Sequence, residues 1–133
     1  MRPAAPATTA AVALAAAALA GCGDDSKGSR GNVAVDSGGT VEVKADEYSF
    51  EPGTVTVRGA RGRARVRFRL RNEGTLPHDV HVRRDGDDLG GTEAVGDGES
   101  AEATVELPPG EYETFCSIGD HAQLGMRGKL KVE

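Results

Sequence analysis

Between Tyr112 and Met126 the chain reads Tyr-Glu-Thr-Phe-Cys-Ser-Ile-Gly-Asp-His-Ala-Gln-Leu-Gly-Met, which spaces Cys116, His121 and Met126 as C-x4-H-x4-M. A further histidine, His78, stands upstream in Pro77-His78-Asp79. Together they offer one thiolate, two imidazoles and one thioether. Two histidines and a cysteine with a weak axial methionine are the donor set of a mononuclear copper site built for electron transfer. Soft sulfur suits Cu(I) and imidazole suits Cu(II), so a mixed set lets both oxidation states live in nearly one geometry. Taken singly, Met126 would read as core filler, His78 as a turn histidine and Cys116 as an inert buried thiol. Composition argues for taking them jointly: the chain has two methionines, one of them the initiator, and three histidines.

The cysteine count points the same way. Of the two cysteines, Cys22 follows an Ala-rich apolar stretch, Thr8 to Ala20, with Arg2 ahead of it. Such a run is too short for a membrane-spanning helix, which needs roughly 20 residues, and fits a secretory signal peptide over 1–21. Its end, Leu19-Ala20-Gly21-Cys22, resembles the lipobox of bacterial lipoproteins. That resemblance implies cleavage before Cys22, acylation of its sulfur, and a lipid anchor on the outer face of the bacterial cell membrane. Diacylation suffices for stable attachment; an ordinary signal peptide with an incidental cysteine is the plainer alternative. Cys116 is then left without a partner in an oxidising compartment, a liability unless a metal occupies its sulfur.

The elements that must position these residues follow from the hydrophobic pattern. Residues 22–39 are rich in Gly, Asp and Ser and predict a flexible tether. From Thr40 to Glu133 the apolar period is two: Val41 and Val43; Val55 and Val57; Val66, Phe68 and Leu70; Val80 and Val82; Ala101 to Leu107; Leu130 and Val132. Strict alternation predicts strands with one buried face, and turns such as Glu51-Pro52-Gly53 and Pro108-Pro109-Gly110 separate them. Seven or eight short, mostly antiparallel strands predict an all-β sandwich. Arg65, Arg67, Arg69 and Arg71 fall on the polar face of one strand and are expected to be a solvated surface.

Three segments resemble those of the cupredoxins, the small blue-copper proteins of the plastocyanin, azurin and rusticyanin group. Tyr48-Ser49-Phe50-Glu51-Pro52-Gly53 is similar to their early strand and turn. Asn72 to Asp79 is similar to the N-x-G-x-x-P-H-[ND] stretch that carries the first histidine, and Leu107 to Tyr112 to the L-x-P-G-x-Y approach to the ligand strand. The resemblance implies a Greek-key β-sandwich holding one type 1 copper ion at one end, ligated by His78, Cys116, His121 and Met126. It also implies that Asp79, where the family often has Asn, ties the two ligand segments together, with Ser117 bonding beside the first histidine. Gly119-Asp120 replaces a frequent Pro-Gly before the second histidine, which loosens the loop and adds a negative charge that favours Cu(II).

The function implied is one-electron transfer, with transient redox proteins as partners and the chain a monomer. No general acid, nucleophile or substrate cleft can be argued, so no enzyme is expected. A copper carrier or store is the alternative, although Met- or His-rich tracts are missing; structural copper in a surface binding module is a third. Three histidines are too few for an additional catalytic copper, and the loop has no second cysteine for a binuclear one. His81 is expected at a surface or sheet edge rather than on the metal. A net charge of −5 without a basic tract excludes a nucleic-acid footprint.

Overall fold

The computed structural model describes residues 29–133. The expected leader, Cys22 and the start of the tether lie outside these residues. Ten strands follow in order: β1 (Asn32–Asp36), β2 (Thr40–Asp46), β3 (Ser49–Glu51), β4 (Thr54–Arg58), β5 (Ala64–Asn72), β6 (His81–Arg84), β7 (Asp87–Gly91), β8 (Ser100–Leu107), β9 (Gly110–Phe115) and β10 (Arg127–Val132). One sheet has the order β1-β4-β10-β9-β6-β7, the other β3-β2-β5-β8. The all-β sandwich is therefore as the alternation predicts. The described residues form ten strands, nine of them within 40–133 where seven or eight are expected, and β1–β4, β4–β10 and β2–β5 pair in parallel.

The inward faces are those the sequence pattern marks. In β5 exposure alternates at every residue, putting Val66, Phe68 and Leu70 in the core and the four arginines outside. Two of the four arginines are paired across the ladder: Arg65 donates to Glu106, and Arg69 to both Glu102 and Glu42. Exposed pairs of this kind contribute little each; the apolar face carries the stability.

The expected tether is corrected at its C-terminal end. Residues 32–36 form β1, in parallel register with β4, with Val33 and Val35 half-buried against the core. Two valines in a run of Gly, Asp and Ser are too little apolar surface to announce a strand. What recruits them is the open edge of β4, whose unpaired N–H and C=O groups need partners. β3 and β7 are likewise short edge strands without a run of alternating residues.

Candidate metal centre

Each candidate ligand is placed by a connection between strands rather than by a strand itself. His78 sits in the β5–β6 connection, three residues before β6. A short bridge fixes it there: its N–H donates to Val95 O at 3.0 Å and its carbonyl accepts from Val95 N–H at 2.9 Å. The preceding turn is built around Asn72, wholly buried, whose Nδ2 donates to Leu76 O and Val95 O while its Oδ1 accepts the Gly74 N–H.

Cys116 and Met126 close the neck of the β9–β10 loop. The Cys116 N–H donates to Met126 O at 3.1 Å, and the Met126 N–H to His121 O at 3.0 Å. Reverse turns in between (His121 N–H to Ile118 O, Leu124 N–H to Asp120 O) coil residues 118–125 over the end of the sandwich. Gly125, with φ +115°, supplies the last reversal before Met126 in a conformation that a side chain would strain.

These connections bring the donors together. Metal-binding atoms of His78, Cys116 and His121 all lie within 4.8 Å of one another. Cys116 Sγ is 3.6 Å from His121 Nδ1, and the two imidazole centroids are 5.1 Å apart. His78 and Met126 are fully enclosed and Cys116 nearly so, whereas His121 keeps 8 % of its surface exposed. Burial pushes the Cys116 thiol above its ordinary range and His78 below its own.

His78 carries the test of whether a metal fits. Its Nδ1 is buried with no hydrogen-bond partner among the described residues, while its Nε2 lies 3.2 Å from Glu47 Oε1. A buried polar atom without a partner costs about 1–3 kcal/mol. With a thiol and a second imidazole clustered at the same ring, a metal ion would satisfy that nitrogen. The donors are soft sulfur and borderline imidazole, with no carboxylate in the cluster, which suits copper and not a hard cation.

The segments expected to join the two ligand loops do so. Asp79, 3 % exposed, accepts the Ser117 N–H at 2.7 Å through Oδ1, and its Oδ2 accepts the Ser117 hydroxyl. Asp79→Ala should therefore lower the unfolding free energy by about 1–3 kcal/mol, because a partly buried amide and hydroxyl lose their acceptor. Asp79→Asn should lose less; urea midpoints of the two variants measure the difference. His81 stands apart from the cluster, its Nδ1 2.8 Å from Asp88 Oδ2 and its Nε2 3.0 Å from Thr92 O.

Sequence reasoning missed the β2–β3 turn, which touches both histidines. Glu47 Oε1 reaches His78, and the Tyr48 ring stands edge-on to His121 with centroids 5.2 Å apart. The Glu47 carboxyl is lowered to about 2, chiefly by the Leu76 N–H, with burial opposing and the Thr75 N–H assisting. No pattern in the sequence announces these contacts.

The chain matches the family of cupredoxin-like domains over residues 9–132. Among solved structures it is similar to the dithionite-reduced auracyanin of the photosynthetic bacterium Roseiflexus castenholzii. That match has 19 % identity and a TM-score of 0.60, covering 71 % of this chain and 96 % of that one. Auracyanin B is similar at 22 % identity and TM-score 0.63, covering 81 % and 96 %. Auracyanin A, a "blue" copper protein of Chloroflexus aurantiacus, is similar at 20 % and 0.59, covering 77 % and 100 %. No curated protein sequence matches significantly. With a family match spanning most of its length and a sulfur–imidazole cluster at one end of the sandwich, the chain belongs to the cupredoxin-like domain family, and its cofactor is one type 1 copper ion.

Proposed function

We propose that this chain is a one-electron carrier whose copper is ligated by His78, Cys116, His121 and Met126, and that it is not an enzyme. The bound ion supplies the Cu(II)/Cu(I) couple; everything else is the work of the chain. The observation that carries the reading is the buried, unpartnered Nδ1 of His78, in a residue whose ring clusters with Cys116 and His121. A preformed, enclosed donor set resists rearrangement when the charge on the metal changes, which is what rapid electron exchange requires.

His121 is the route in and out. It alone of the two histidines reaches the surface, next to Ala122 and the exposed Leu124. A small apolar margin around an exposed imidazole edge suits weak, short-lived docking of redox proteins, at the low end of interface areas. Delivery of copper, the competing role, requires easy release. The copper-loaded chain should cycle between oxidised and reduced forms repeatedly with its copper retained against a Cu(I) chelator. Ready loss of Cu(I) would instead mark a carrier or store.

We further propose that the mature chain begins at an acylated Cys22 and works as a monomer on the outer face of the bacterial cell membrane. The Leu19-Ala20-Gly21-Cys22 sequence and the polar run after it support this. Cys22→Ala should move the protein from the membrane to the soluble fraction on cell fractionation; retention in the membrane would contradict the anchor.

A further inference from the structure

We propose that Glu47 is a positioning residue of the copper site, locking the tautomer and orientation of His78 and using its fixed negative charge to favour Cu(II). This rests on the ligand assignment above but adds a residue from a third segment of the chain. The geometry is specific. A single carboxylate oxygen, Oε1, accepts the Thr75 N–H at 2.8 Å, the Leu76 N–H at 2.8 Å, and lies 3.2 Å from His78 Nε2. The carboxylate is thus held by the same turn that presents His78. An ionised carboxylate only accepts, so the Nε2 it faces must carry the proton, leaving Nδ1 bare. That nitrogen is the one without a partner. A carboxylate behind a metal-binding imidazole both orients the ring and raises its basicity.

Two further features show that the surroundings are shaped for this carboxylate. A Cβ on Gly74 would collide with the Glu47 carboxyl group, so the glycine leaves the space that Glu47 fills. The next residue, Tyr48, holds φ +73°, a left-handed conformation of order 1–3 kcal/mol in cost for a side chain of its size. Such strain persists only where surrounding contacts over-determine it. Here Glu47 is fixed on one histidine and the Tyr48 ring lies against the other. The Glu47 side chain is 27 % exposed, so its field is only partly screened by water.

The electron step would need no proton: a bound Cu(II) would take one electron from a reduced redox-protein partner, which is oxidised by one electron, and Glu47 would keep its negative charge in both states. Its charge stabilises the more positive ion. Glu47→Gln retains the shape and an acceptor oxygen but removes the charge. In the copper-loaded full chain it should keep the charge-transfer colour and shift the redox equilibrium against a fixed partner about tenfold toward Cu(I), about 59 mV for a one-electron couple. In the copper-free chain, nitrogen-15 NMR should show His78 as the Nε2–H tautomer, and Glu47→Ala should populate both tautomers. A redox equilibrium within twofold of the parent chain in the coloured Gln variant would overturn the proposal. So would Nδ1–H as the main tautomer of the copper-free parent. The tautomer measurement needs no metal, so its failure is distinct from failure of the ligand assignment, which would appear as a parent chain without the colour.

Discussion

Cys116→Ser is expected to abolish the visible colour of the copper-loaded chain. It should also weaken copper binding by well over the ~10–100-fold that changes to outer partners of metal ligands cost. The thiolate is the only soft anionic donor in the cluster, and the intense colour of such a centre is charge transfer from that sulfur to Cu(II). A serine hydroxyl at the same place stays protonated and offers a hard, weak oxygen. The side chain is 1 % exposed, so water cannot make up the missing donor freely. Because burial holds the thiol above its ordinary range, copper must displace a proton from it. Copper uptake by the parent chain should therefore release a proton and weaken as the pH falls, and the serine variant should show no such proton release. Optical titration with Cu(II), paired with calorimetry in buffers of different ionisation enthalpy, reads both effects. Colour surviving in the serine variant would contradict the role given to Cys116.

Met126→Leu should leave the colour in place but move the redox equilibrium tenfold or more toward Cu(I), at least about 59 mV for a one-electron couple. The exchange nearly conserves volume and typically costs under about 1.5 kcal/mol. It also leaves untouched the backbone bonds by which Met126 joins Cys116 to His121. The change therefore isolates the thioether, a weak donor that stabilises Cu(II) more than the lower-charged Cu(I). Residue 126 is wholly enclosed, so leucine leaves an apolar, water-free wall in its place. Potentiometry on the two proteins decides the point; an unchanged potential would remove Met126 from the ligand set.

Much of this was open to sequence reasoning because it depends on local pattern. The alternation in β5 and β8 is a property of adjacent residues, and so is the C-x4-H-x4-M spacing, since all three residues lie in one loop. The link between Asp79 and Ser117 could be expected only through family resemblance. Its two ends are far apart in the chain, and nothing local marks either one. What escaped the sequence reading depends on tertiary encounter alone. β1 forms because β4 offers it an edge, not because Val33 and Val35 form a convincing strand by themselves. Glu47 looked like one acidic residue among many, since its importance comes from meeting the turn at Gly74 to His78. The bare Nδ1 of His78, the sharpest sign of a metal, is likewise a property of the packed interior.

That bare nitrogen also bears on stability. A metal that binds only the folded chain stabilises it by mass action, and here it additionally satisfies a buried acceptor that has no protein partner. The folded chain and its metal are therefore coupled at His78, while the Asn72 and Asp79 bonds hold the surrounding turns together without it.

The most direct test of the central claim is the optical and electron paramagnetic resonance spectrum of the chain loaded with one equivalent of Cu(II). Ligation by Cys116 predicts an intense visible charge-transfer band and a copper hyperfine coupling reduced by sharing of spin density with sulfur. A pale complex with the large coupling of copper bound only by nitrogen and oxygen would contradict it.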